Sequence, residues 1–408
     1  MGEARICVVG MGYIGLPTAS FLATKGYSVV GVDVRDDVVA AINAGRLPIV
    51  EPDLDILLKS AVNSGNLVAV MEPQPADIFI MAVPTPFVRD ENLDPTPDLS
   101  YVEAAACSMA PVLERGNLVI LESTSPVGTT EKLAALLGRE RPDLVGNEGL
   151  EVQVAHCPER VLPGRILLEL VENDRIVGGI DSLSTERAAA FYREFVRGEV
   201  IGTDCRSAEL SKLVENSFRD VNIAFANELS MVCEHLGMNV WEVIRLANRH
   251  PRVSVLRPGA GVGGHCIAVD PWFIVSSAPE QTRVIRTARE VNDSKSQWVL
   301  ERILDRASRF NQPRIACLGL AFKPDIDDLR ESPALEIARG LRKVHGDRVL
   351  CVEPNLESYD EFPLSSLSDA LSQADIIAVL VSHRSFSEID ADQLDEKVVI
   401  DAVGAFRR

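Results

Sequence analysis

A glycine-rich turn between a strand pattern and a helix pattern near the N-terminus is the feature that most restricts the fold. The apolar run RICVVG leads into the segment GMGYIG, which spans Gly10–Gly15. Glycines at this spacing permit a tight turn and let a pyrophosphate approach the N-terminus of the following helix. A second strand pattern ends at Asp33, 23 residues after Gly10. The sequence therefore predicts a dinucleotide-binding βαβ unit of the Rossmann type.

Three further positions bear on this crevice. A carboxylate such as Asp33 accepts hydrogen bonds from an adenosine ribose, which favours NAD, although the nearby Arg35 leaves NADP open. Loops at Thr85 and Thr124 follow two later strand patterns, and ligands of open α/β sheets bind outside the carboxyl ends of strands. Each loop, and the glycine turn itself, has an alternative interpretation as ordinary structure without a ligand.

Short apolar runs alternate with helical patterns over the first 180 residues, which predicts a parallel sheet. The strand patterns are Arg5–Val9, Ser28–Val32, Asp77–Ala82, Asn117–Glu122, Gln153–His156 and Arg175–Gly178. A stretch rich in Pro and Asp, Val83–Asp98, predicts a loop. The last hundred residues return to the same alternation, with Ser332-Pro333 as a helix start.

Long helical patterns occupy the middle of the chain. Apolar residues recur every three or four positions from Leu210 to Leu236, and Gly237 is suited to end that helix. A second helix is expected over 279–307, and the glycine-rich loop Pro258–Cys266 lies between them. The predicted fold class is α/β, with two Rossmann-like doubly wound domains joined by a central helical domain that contains a long helix. The predicted domain boundaries are 1–203, 204–300 and 301–408.

Composition limits the partners and the compartment. The chain carries 41 basic and 60 acidic side chains, a net charge of −19, which argues against nucleic acid and anionic membrane surfaces. No apolar run approaches the roughly 18 residues that cross a bilayer. The N-terminal segment has no basic and then apolar leader, so a cytoplasmic protein is expected.

Eight cysteines are present and none form a CxxC pair. Seven are predicted to be small buried residues in a reducing compartment. Cys266 differs because it follows a glycine-rich loop, where an accessible thiolate can act as a nucleophile. A buried structural cysteine is the alternative. A metal site with His265 and Asp270 matches no zinc spacing, so no metal is expected.

Polar residues follow one another at intervals of four on the long helix: Lys212, Asn216 and Asp220. They form a stripe opposite the apolar one. A solvated helix face is the usual explanation for such a stripe, and only a link to a pocket would make it part of a site.

Seven motifs occur in order along the chain: GMGYIGLP, VPTP, ESTSPVGTT, CPERVLPG, AELSKLVENSFRD, GAGVGGHC and GLAFKPDIDDLRESP. Together they resemble the UDP-glucose/GDP-mannose dehydrogenase family over essentially the whole chain. Within it, RHPRV, GGHCIAVDPWF and RTAREVND resemble the members that oxidise UDP-N-acetyl-D-mannosamine. The resemblance implies a four-electron oxidation of a sugar C6 alcohol to a carboxylate with two NAD⁺. Cys266 would hold the aldehyde as a thiohemiacetal and then as a thioester that water hydrolyses.

The resemblance also implies roles for individual residues. Lys212 and Asn216 would stabilise oxyanions, Asp270 would order a water with the lysine, and Glu159 with Thr124 would serve the hydrolytic water. The implied catalytic set is Cys266, Lys212, Asp270, Asn216, Glu159 and Thr124. The implied cofactor set is Gly10, Gly12, Tyr13, Ile14, Gly15, Asp33, Thr85, Thr124 and Arg330. The implied substrate set is Arg160, Val161, Lys212, Asn216, Arg219, His250, Arg252, Gly263, Phe322 and Lys323.

Assembly is implied as well. In the family, the arginine that matches Arg252 reaches into a neighbouring subunit's site. A homo-oligomer through the central helices, at least a dimer, is therefore expected. The expected partner is a small UDP-sugar, with no nucleic acid and no membrane.

Departures from the family pattern bear on the substrate. Members that oxidise UDP-glucose usually have a lysine where this chain has Val269, and they have PEFL followed by an acidic residue where it has Pro158–Gly164. Both differences point to an N-acetylhexosamine. A UDP-N-acetylglucosamine 6-dehydrogenase remains the nearest alternative, since the sugars differ only at C2, and UDP-glucose is less favoured.

A basic residue often found after the last strand is missing near Val403, where Arg407 or Arg408 could replace it. Two other classes stay open: a two-electron NAD dehydrogenase, and a non-catalytic nucleotide-sugar-binding protein. Binding alone needs no thiol, so the presence of Cys266 argues against the second of these.

Overall fold

The computed structural model describes residues 4–406 except Val50, Pro52, Glu91, Asn92, Glu148, Leu162, Pro163 and His265. The chain divides into two compact units. The first comprises Met1–Val214 with Trp272–Ser277, and the second comprises Glu215–Pro271 with Ala278–Arg408. The boundaries near residues 203 and 300 stay a prediction.

The first unit is built on an eight-stranded sheet with the order β12-β11-β10-β7-β4-β1-β2-β3. Its six strands from β3 to β10 follow the doubly wound Rossmann order, in which the chain reverses direction across the sheet at β1. The pairs are parallel except β10 with β11. The strands of this unit are β1 (Arg5–Val9), β2 (Ser28–Val32), β3 (Leu67–Val70), β4 (Ile78–Met81), β5 (Phe87–Asp90), β6 (Leu93–Pro97), β7 (Leu118–Leu121), β8 (Val145–Gly146), β9 (Gly149–Leu150), β10 (Gln153–His156), β11 (Arg175–Gly179) and β12 (Val200–Asp204).

Helices cover both faces of this sheet. Alternate residues of β1 show it, since Ile6 and Val8 pack in one apolar layer while Cys7 and Val9 pack in the other. A sheet buried on both faces needs continuous apolar strands, which is why these segments stood out in the sequence. The helices are α1 (Gly15–Thr24), α2 (Asp36–Asn43), α3 (Leu54–Asn63), α4 (Ser100–Met109), α5 (Thr129–Glu140), α6 (Ile166–Glu172) and α7 (Ser182–Arg193).

The second unit contains a four-stranded parallel sheet with the order β14-β13-β15-β16. Its strands are β13 (Ile315–Leu318), β14 (Val349–Val352), β15 (Ile376–Val379) and β16 (Val398–Asp401). Its helices are α9 (Val240–Ala247), α11 (Arg283–Ala307), α12 (Pro333–His345) and α13 (Leu367–Gln373), while α8 (Cys205–His235) and α10 (Asp270–Ser277) have residues in both units. The predicted α/β class with parallel sheets and a long helix is confirmed. Every helix in the described ranges is too short or too polar to cross a lipid bilayer.

Local signals set several helix ends as predicted. The Ser332 hydroxyl accepts the Leu335 N–H at 3.3 Å at the start of α12, with Pro333 at the first helical position. Helix α8 ends just before Gly237, which has a φ of +68°. In that conformation the Met238 N–H reaches the Cys233 carbonyl at 2.7 Å, so an otherwise unpaired carbonyl of the last turn is satisfied.

Two predictions about local structure are wrong. The stretch Val83–Asp98 is not a plain loop, because it contains the antiparallel hairpin of β5 and β6. A two-stranded ribbon outside the main sheet tolerates proline, which obscured it in the sequence. Cys107 is exposed on α4, since it lies on the helix face turned away from the apolar layer. The other six cysteines besides Cys266 are buried as predicted.

The polar stripe of α8 is the third correction. Asn216 and Asp220 are buried, whereas Phe218 and Phe225 are 69% and 58% exposed, so the interpretation as a solvated face is wrong. Charge pairing explains why this polar face of α8 is buried. Arg289 of α11 is fully buried and donates to Asp220 Oδ1 at 2.6 Å.

That ion pair belongs to a larger buried network. Asn292 Nδ2 donates to Asp220 Oδ1 at 2.7 Å, and Asn227 Nδ2 donates to Asn292 Oδ1 at 2.9 Å. Asn227 Oδ1 then accepts the Gly259 N–H at 2.9 Å. Because buried charges are stable only when paired and hydrogen-bonded, this network fixes α8 to α11 and to the start of the glycine-rich loop.

Candidate active site

The first glycine turn has the backbone that a dinucleotide requires. Gly10 has a φ of +94°, and a Cβ added there would lie 2.5 Å from the Ala82 carbonyl oxygen. A Cβ on Gly15, the first residue of α1, would lie 1.8 Å from the Gly10 oxygen. Around a Cβ on Gly12, in contrast, no described atom lies within 4 Å. Gly10 and Gly15 are thus required by the fold, while Gly12 faces open space.

The start of α1 is suited to an anion. Its N-cap residue, Ile14, provides no side-chain hydrogen bond, and its first turn contains no acidic residue. The first N–H groups of a helix without a cap attract phosphate, in line with the helix dipole. Tyr13 is exposed beside this turn. The structure therefore fits a pyrophosphate at the predicted position.

Asp33 stands at the end of β2 with a fixed carboxylate. Its Oδ2 accepts the Met11 N–H at 3.1 Å, and its Oδ1 accepts the Arg35 N–H at 3.0 Å. The Arg35 guanidinium turns toward the same carboxylate, with Nε 3.9 Å from Oδ1. This geometry fits a ribose hydroxyl at Asp33 and favours NAD, because a carboxylate at this position accepts from the hydroxyl and repels a 2′-phosphate.

The predicted loops at Thr85 and Thr124 are brought together. They follow the adjacent strands β4 and β7, and both threonines are half-buried. The Ser123 hydroxyl joins the loops by donating to the Val83 carbonyl at 2.7 Å. Both threonines therefore lie at the carboxyl edge of the sheet, as Asp33 does.

The loop that carries Glu159, Arg160 and Val161 is fixed at both ends. Glu159 is 7% exposed; its Oε2 accepts from Arg175 at 2.8 Å and its Oε1 from the Arg160 N–H at 2.6 Å. At the other end, the buried Glu51 accepts the Gly164 and Ile166 N–H groups at 2.9 and 3.0 Å. Sequence analysis missed Glu51 and Arg175, and no local pattern marks either of them.

A third buried carboxylate holds the start of α8. Glu209 accepts the N–H groups of Gly128 and Thr130 at 2.6 and 2.7 Å, and the Thr130 hydroxyl at 2.6 Å. Burial raises the pKa of Glu209, while these three donors act in the opposite direction. Glu209 precedes Lys212 by about one helical turn, so its bonds also fix the helix backbone from which that half-buried lysine extends. This role was also missed.

In the second unit, the structure connects three of the predicted catalytic residues. Cys266 is exposed, which contradicts the alternative of a buried structural cysteine. Its carbonyl accepts the Asp270 N–H at 2.8 Å, and the buried Asp270 carboxylate accepts from Asn216 Nδ2 at 2.5 Å. The metal alternative included His265, which lies outside the described residues.

A pocket of the second unit contains part of the predicted substrate set. Phe322 lines it together with the first part of the glycine-rich loop, Gly259–Gly261. Close approach explains the later glycines, since a Cβ on Gly264 would lie 2.8 Å from the Phe322 ring and one on Gly263 2.4 Å from the Glu331 oxygen. The other lining residues are Arg257, Pro258, Ala321, Pro324, Pro333, Ala334, Leu380, Val381, Ser382 and Val403.

Arg257 is a basic residue of this pocket that sequence analysis missed. Its guanidinium lies over the Trp241 ring at 5.4 Å and donates to the Gly404 carbonyl at 3.2 Å. It thus stands beside Val403, where the usual basic residue is absent. Arg407 and Arg408, the expected replacements, lie outside the described residues.

Two further acids, Glu353 and Asp401, hold the backbone of segments that line this pocket. Burial alone would raise the pKa of Glu353, but the His383 ring and the Leu320 and Ala321 N–H groups lower it to about 2. These contacts hold the backbone just before Phe322. Asp401 accepts N–H groups from the segment after β16, at residues 403–406.

The contacts described above do not bring all of the predicted site residues together. Within the described ranges, none of the predicted cations lines the pocket. Arg330 is held by Asp328 at 2.6 Å, and Arg160 donates to the Asp174 carbonyl at 3.2 Å. The exposed basic residues of the predicted substrate set are Arg219, His250, Arg252 and Lys323. Their roles stay predictions.

We expect Gly12→Ala to leave the melting temperature unchanged and to weaken NAD⁺ binding at least about tenfold. The added methyl meets no described protein atom within 4 Å, but it stands where a pyrophosphate would approach the turn. Gly138→Ala on α5 is the matched control, because its methyl would lie 3.5 Å from Val145 in ordinary contact. Calorimetric NAD⁺ titrations and thermal melts check this, and equal NAD⁺ affinities of the two variants would contradict it.

Comparison with known proteins identifies the chain's relatives. Three models of the UDP-glucose/GDP-mannose dehydrogenase family match it: the NAD binding domain at residues 4–196, the central domain at 206–294 and the UDP binding domain at 316–408. The chain is 56% identical to an NDP-N-acetyl-D-galactosaminuronic acid dehydrogenase of Ralstonia solanacearum, over 98% of this chain and 95% of that one.

Two more relatives extend the comparison. A UDP-N-acetyl-D-mannosamine dehydrogenase of Campylobacter jejuni is 54% identical, over 96% of this chain and 98% of that one. The solved structure of a UDP-D-ManNAc dehydrogenase from Pyrococcus horikoshii superposes with a TM-score of 0.88 at 40% identity, over 99% and 96% of the two chains. With the Rossmann turn and Asp33 in place, these matches show that the chain belongs to the UDP-glucose/GDP-mannose dehydrogenase family and is an NAD-dependent nucleotide-sugar dehydrogenase.

Proposed function

We propose that this enzyme oxidises the C6 alcohol of UDP-N-acetyl-D-mannosamine to the carboxylate, with two NAD⁺ reduced per sugar. The observation that carries the proposal is the exposed Cys266, whose backbone is bonded to Asp270 and through it to Asn216. An alcohol dehydrogenase that stops at the aldehyde needs no thiol, whereas a second oxidation to the acid needs a way to retain the aldehyde.

The cofactor would be held by the groups that fit it in the first unit. These are the N–H groups of the turn after Met11, since those of Gly10 and Met11 donate to Val32 and Asp33, together with the Asp33 carboxylate and the loops at Thr85 and Thr124. When bound, NAD⁺ supplies the hydride acceptor for each oxidation. The match to the family's NAD binding domain supports the cofactor. The relatives named UDP-N-acetyl-D-mannosamine dehydrogenases, among them that of Campylobacter jejuni, support the proposed substrate.

Cys266 is the proposed nucleophile. Its thiolate sulfur forms a bond to C6 of the aldehyde, the carbonyl π bond opens, and the oxygen takes a proton to give a thiohemiacetal. Lys212 and Asn216 are proposed to stabilise the negative oxygen. The Asn216 amide has two N–H groups, and with one given to Asp270 the other can reach a substrate oxygen.

Loss of the C6 hydrogen as hydride and of the hydroxyl proton would convert the thiohemiacetal to a thioester, with the second NAD⁺ as the hydride acceptor. Hydrolysis of that thioester completes the reaction. The oxygen of a water molecule attacks C6, the C–S bond breaks, and the Cys266 thiolate leaves. Glu159 is proposed to accept the proton from that water, with Thr124 beside it. The fixed Glu159 carboxylate, held by Arg175 and the Arg160 N–H, supports this assignment because a general base must keep one orientation.

The sugar is proposed to carry an N-acetyl group at C2. Val269, which replaces a lysine of the UDP-glucose enzymes, is buried directly before Asp270, so no charge stands at that position. A second candidate substrate is UDP-N-acetyl-D-galactosamine. The Ralstonia solanacearum relative at 56% identity favours it, because that protein is named an NDP-N-acetyl-D-galactosaminuronic acid dehydrogenase. UDP-N-acetylglucosamine stays the nearest alternative by chemistry.

Two copies are proposed to pair through α8. Its exposed apolar stripe includes Phe218, Phe225, Val232 and Leu236, which are 69%, 58%, 46% and 62% exposed. The first three recur every seven residues, the spacing of helices that pack along one another. Arg252 is proposed to enter the partner's site. A cytoplasmic location is proposed because the Cys266 thiol must stay reduced.

Substrate and stoichiometry test the proposal together. We expect UDP-N-acetyl-D-mannosamine to give two NADH per sugar and to exceed the N-acetylglucosamine, N-acetylgalactosamine and glucose analogues in kcat/KM by at least about tenfold. Absorbance of NADH and chromatography of the uronate measure this. One NADH per sugar would contradict the thioester route, and a better analogue would reassign the substrate.

The Cys266→Ser variant tests the nucleophile. It should lose uronate formation but keep NAD⁺ binding, with Cys107→Ser, a change at the other exposed cysteine, as the matched control.

Subunit complementation tests the role of Arg252. Co-expression of Cys266→Ser and Arg252→Ala chains should restore about one quarter of the parent activity if dimers form at random. Half of the dimers would then be mixed, and each would hold one complete site. Chains that use their own Arg252 would recover no activity, and sedimentation of the mixture would show whether dimers are present.

A further inference from the structure

Glu122 is a buried carboxyl at the centre of the first sheet to which no role has been assigned. It follows β7 directly, is 2% exposed, and precedes Thr124 by two residues. Its N–H donates to the Met81 carbonyl of the neighbouring strand β4 at 2.9 Å, so its backbone is fixed. The side chain therefore lies at the carboxyl edge of the sheet, where the ligands of such sheets bind.

Contacts link Glu122 to Glu159 through two other buried residues. The Tyr192 hydroxyl of α7 donates to Glu122 Oε1 at 2.8 Å. The Arg175 guanidinium lies over the Tyr192 ring at 5.5 Å and donates to Glu159 Oε2 at 2.8 Å. Arg175 and Tyr192 are each 1% exposed, so this cluster of four side chains is shielded from water.

The charges of this cluster do not balance unless one carboxyl is protonated. Glu159 takes the direct ion pair with Arg175. Glu122 Oε2 is buried and has no hydrogen-bond partner among the described residues. An unpaired buried carboxylate oxygen is unfavourable because it carries charge, whereas protonation of Oε2 removes that charge and leaves Oε1 to accept the Tyr192 hydroxyl.

The pKa of Glu122 reflects this arrangement. Burial chiefly, and then the Glu159 carboxylate, raise the pKa of Glu122 to about 7, while Arg175 and the Tyr192 hydrogen bond act in the opposite direction. The remaining neighbour, Cys157, contributes no charge, because burial chiefly raises the pKa of its thiol to about 12. Tyr192 is likewise a neutral phenol, since burial raises its pKa well above the ordinary value.

We propose that Glu122 is a positioning residue for Glu159: through Tyr192 it holds the Arg175 guanidinium against the Glu159 carboxylate, and its own proton sets the charge of the cluster. With that proton present, one carboxylate faces one guanidinium. With the proton lost, two carboxylates share the guanidinium. This inference rests on the proposed role of Glu159 in hydrolysis, which should then change in rate over the pH range where Glu122 titrates.

The pH profile of hydrolysis is the first test. Release of the uronate in single turnovers should bend near pH 7 in the parent enzyme, and the bend should be absent in Glu122→Gln, which cannot titrate. Tyr192→Phe keeps the ring under Arg175 but removes a hydrogen bond that lowers the pKa of Glu122, so the bend should move to higher pH. Glu140→Gln, an exposed change on α5, should keep the parent profile. An unchanged bend in Glu122→Gln would overturn the proposal.

Stability against pH gives a second test that does not involve catalysis. An unfolded glutamate ionises near 4.5 and folded Glu122 near 7, so between these values the folded state binds more protons. The Glu122 contribution to stability is therefore full below pH 4.5, falls as the pH rises to 7, and stays constant above. The melting temperature of Glu122→Gln relative to the parent should rise between pH 5 and 7 and then level off. Parallel curves would show that Glu122 does not titrate there and would overturn the inference.

The two proposals can fail separately. If Glu159→Gln hydrolyses the thioester at the parent rate, the proposed role of Glu159 is wrong whatever Glu122 does. If Glu159→Gln is slow but Glu122→Gln keeps both the bend and the parent stability curve, only the role of Glu122 is wrong.

Discussion

Buried or half-buried carboxylates that each accept two or more backbone N–H groups hold the loops at the carboxyl ends of the strands. Such charge-assisted bonds are stronger than bonds between neutral groups, and burial strengthens them further. They satisfy N–H groups at the points where strands end and helices begin. The acids are Asp33, Glu51, Glu209 and Glu353, and each bonds the backbone of a different loop of the proposed site. The proposed catalytic and binding groups depend on these loops for their positions.

This use of acids gives the charge of −19 a physical meaning. Part of the negative charge lies inside the units, where Asp220 is paired with Arg289 and where Glu51 and Glu209 accept backbone N–H groups. Exposed cations are left toward solvent, among them Arg252 and Lys323. An acidic chain can therefore bind two anionic nucleotides, because the local charge and not the total decides binding.

Much of the fold was predictable because its signals are local. The GMGYIG turn, the apolar strands and the Ser332-Pro333 helix start are each encoded within a few residues. The hairpin of β5 and β6 was not predictable, because prolines interrupt its strand pattern. The buried side of α8 was assigned to solvent, since the partner that makes Asp220 stable inside, Arg289, is 69 residues away in sequence.

The site was predictable to a different extent. Motif resemblance named the residues that would contact the ligands, but Glu51, Arg175, Glu209 and Arg257 act through partners that are distant in sequence and leave no local pattern. Glu122 is the first residue of the motif ESTSPVGTT, yet only its burial beside Tyr192 distinguishes it from an ordinary residue at a strand end.

The central claim is that Cys266 holds the substrate covalently between two oxidations. Mass spectrometry of the Glu159→Gln enzyme, acid-quenched during a single turnover with UDP-N-acetyl-D-mannosamine and NAD⁺, tests it most directly. We expect a sugar-nucleotide adduct on the peptide that contains Cys266, and we expect this adduct to decay as the uronate is released. Uronate formed with no adduct on Cys266 at any time point would contradict it.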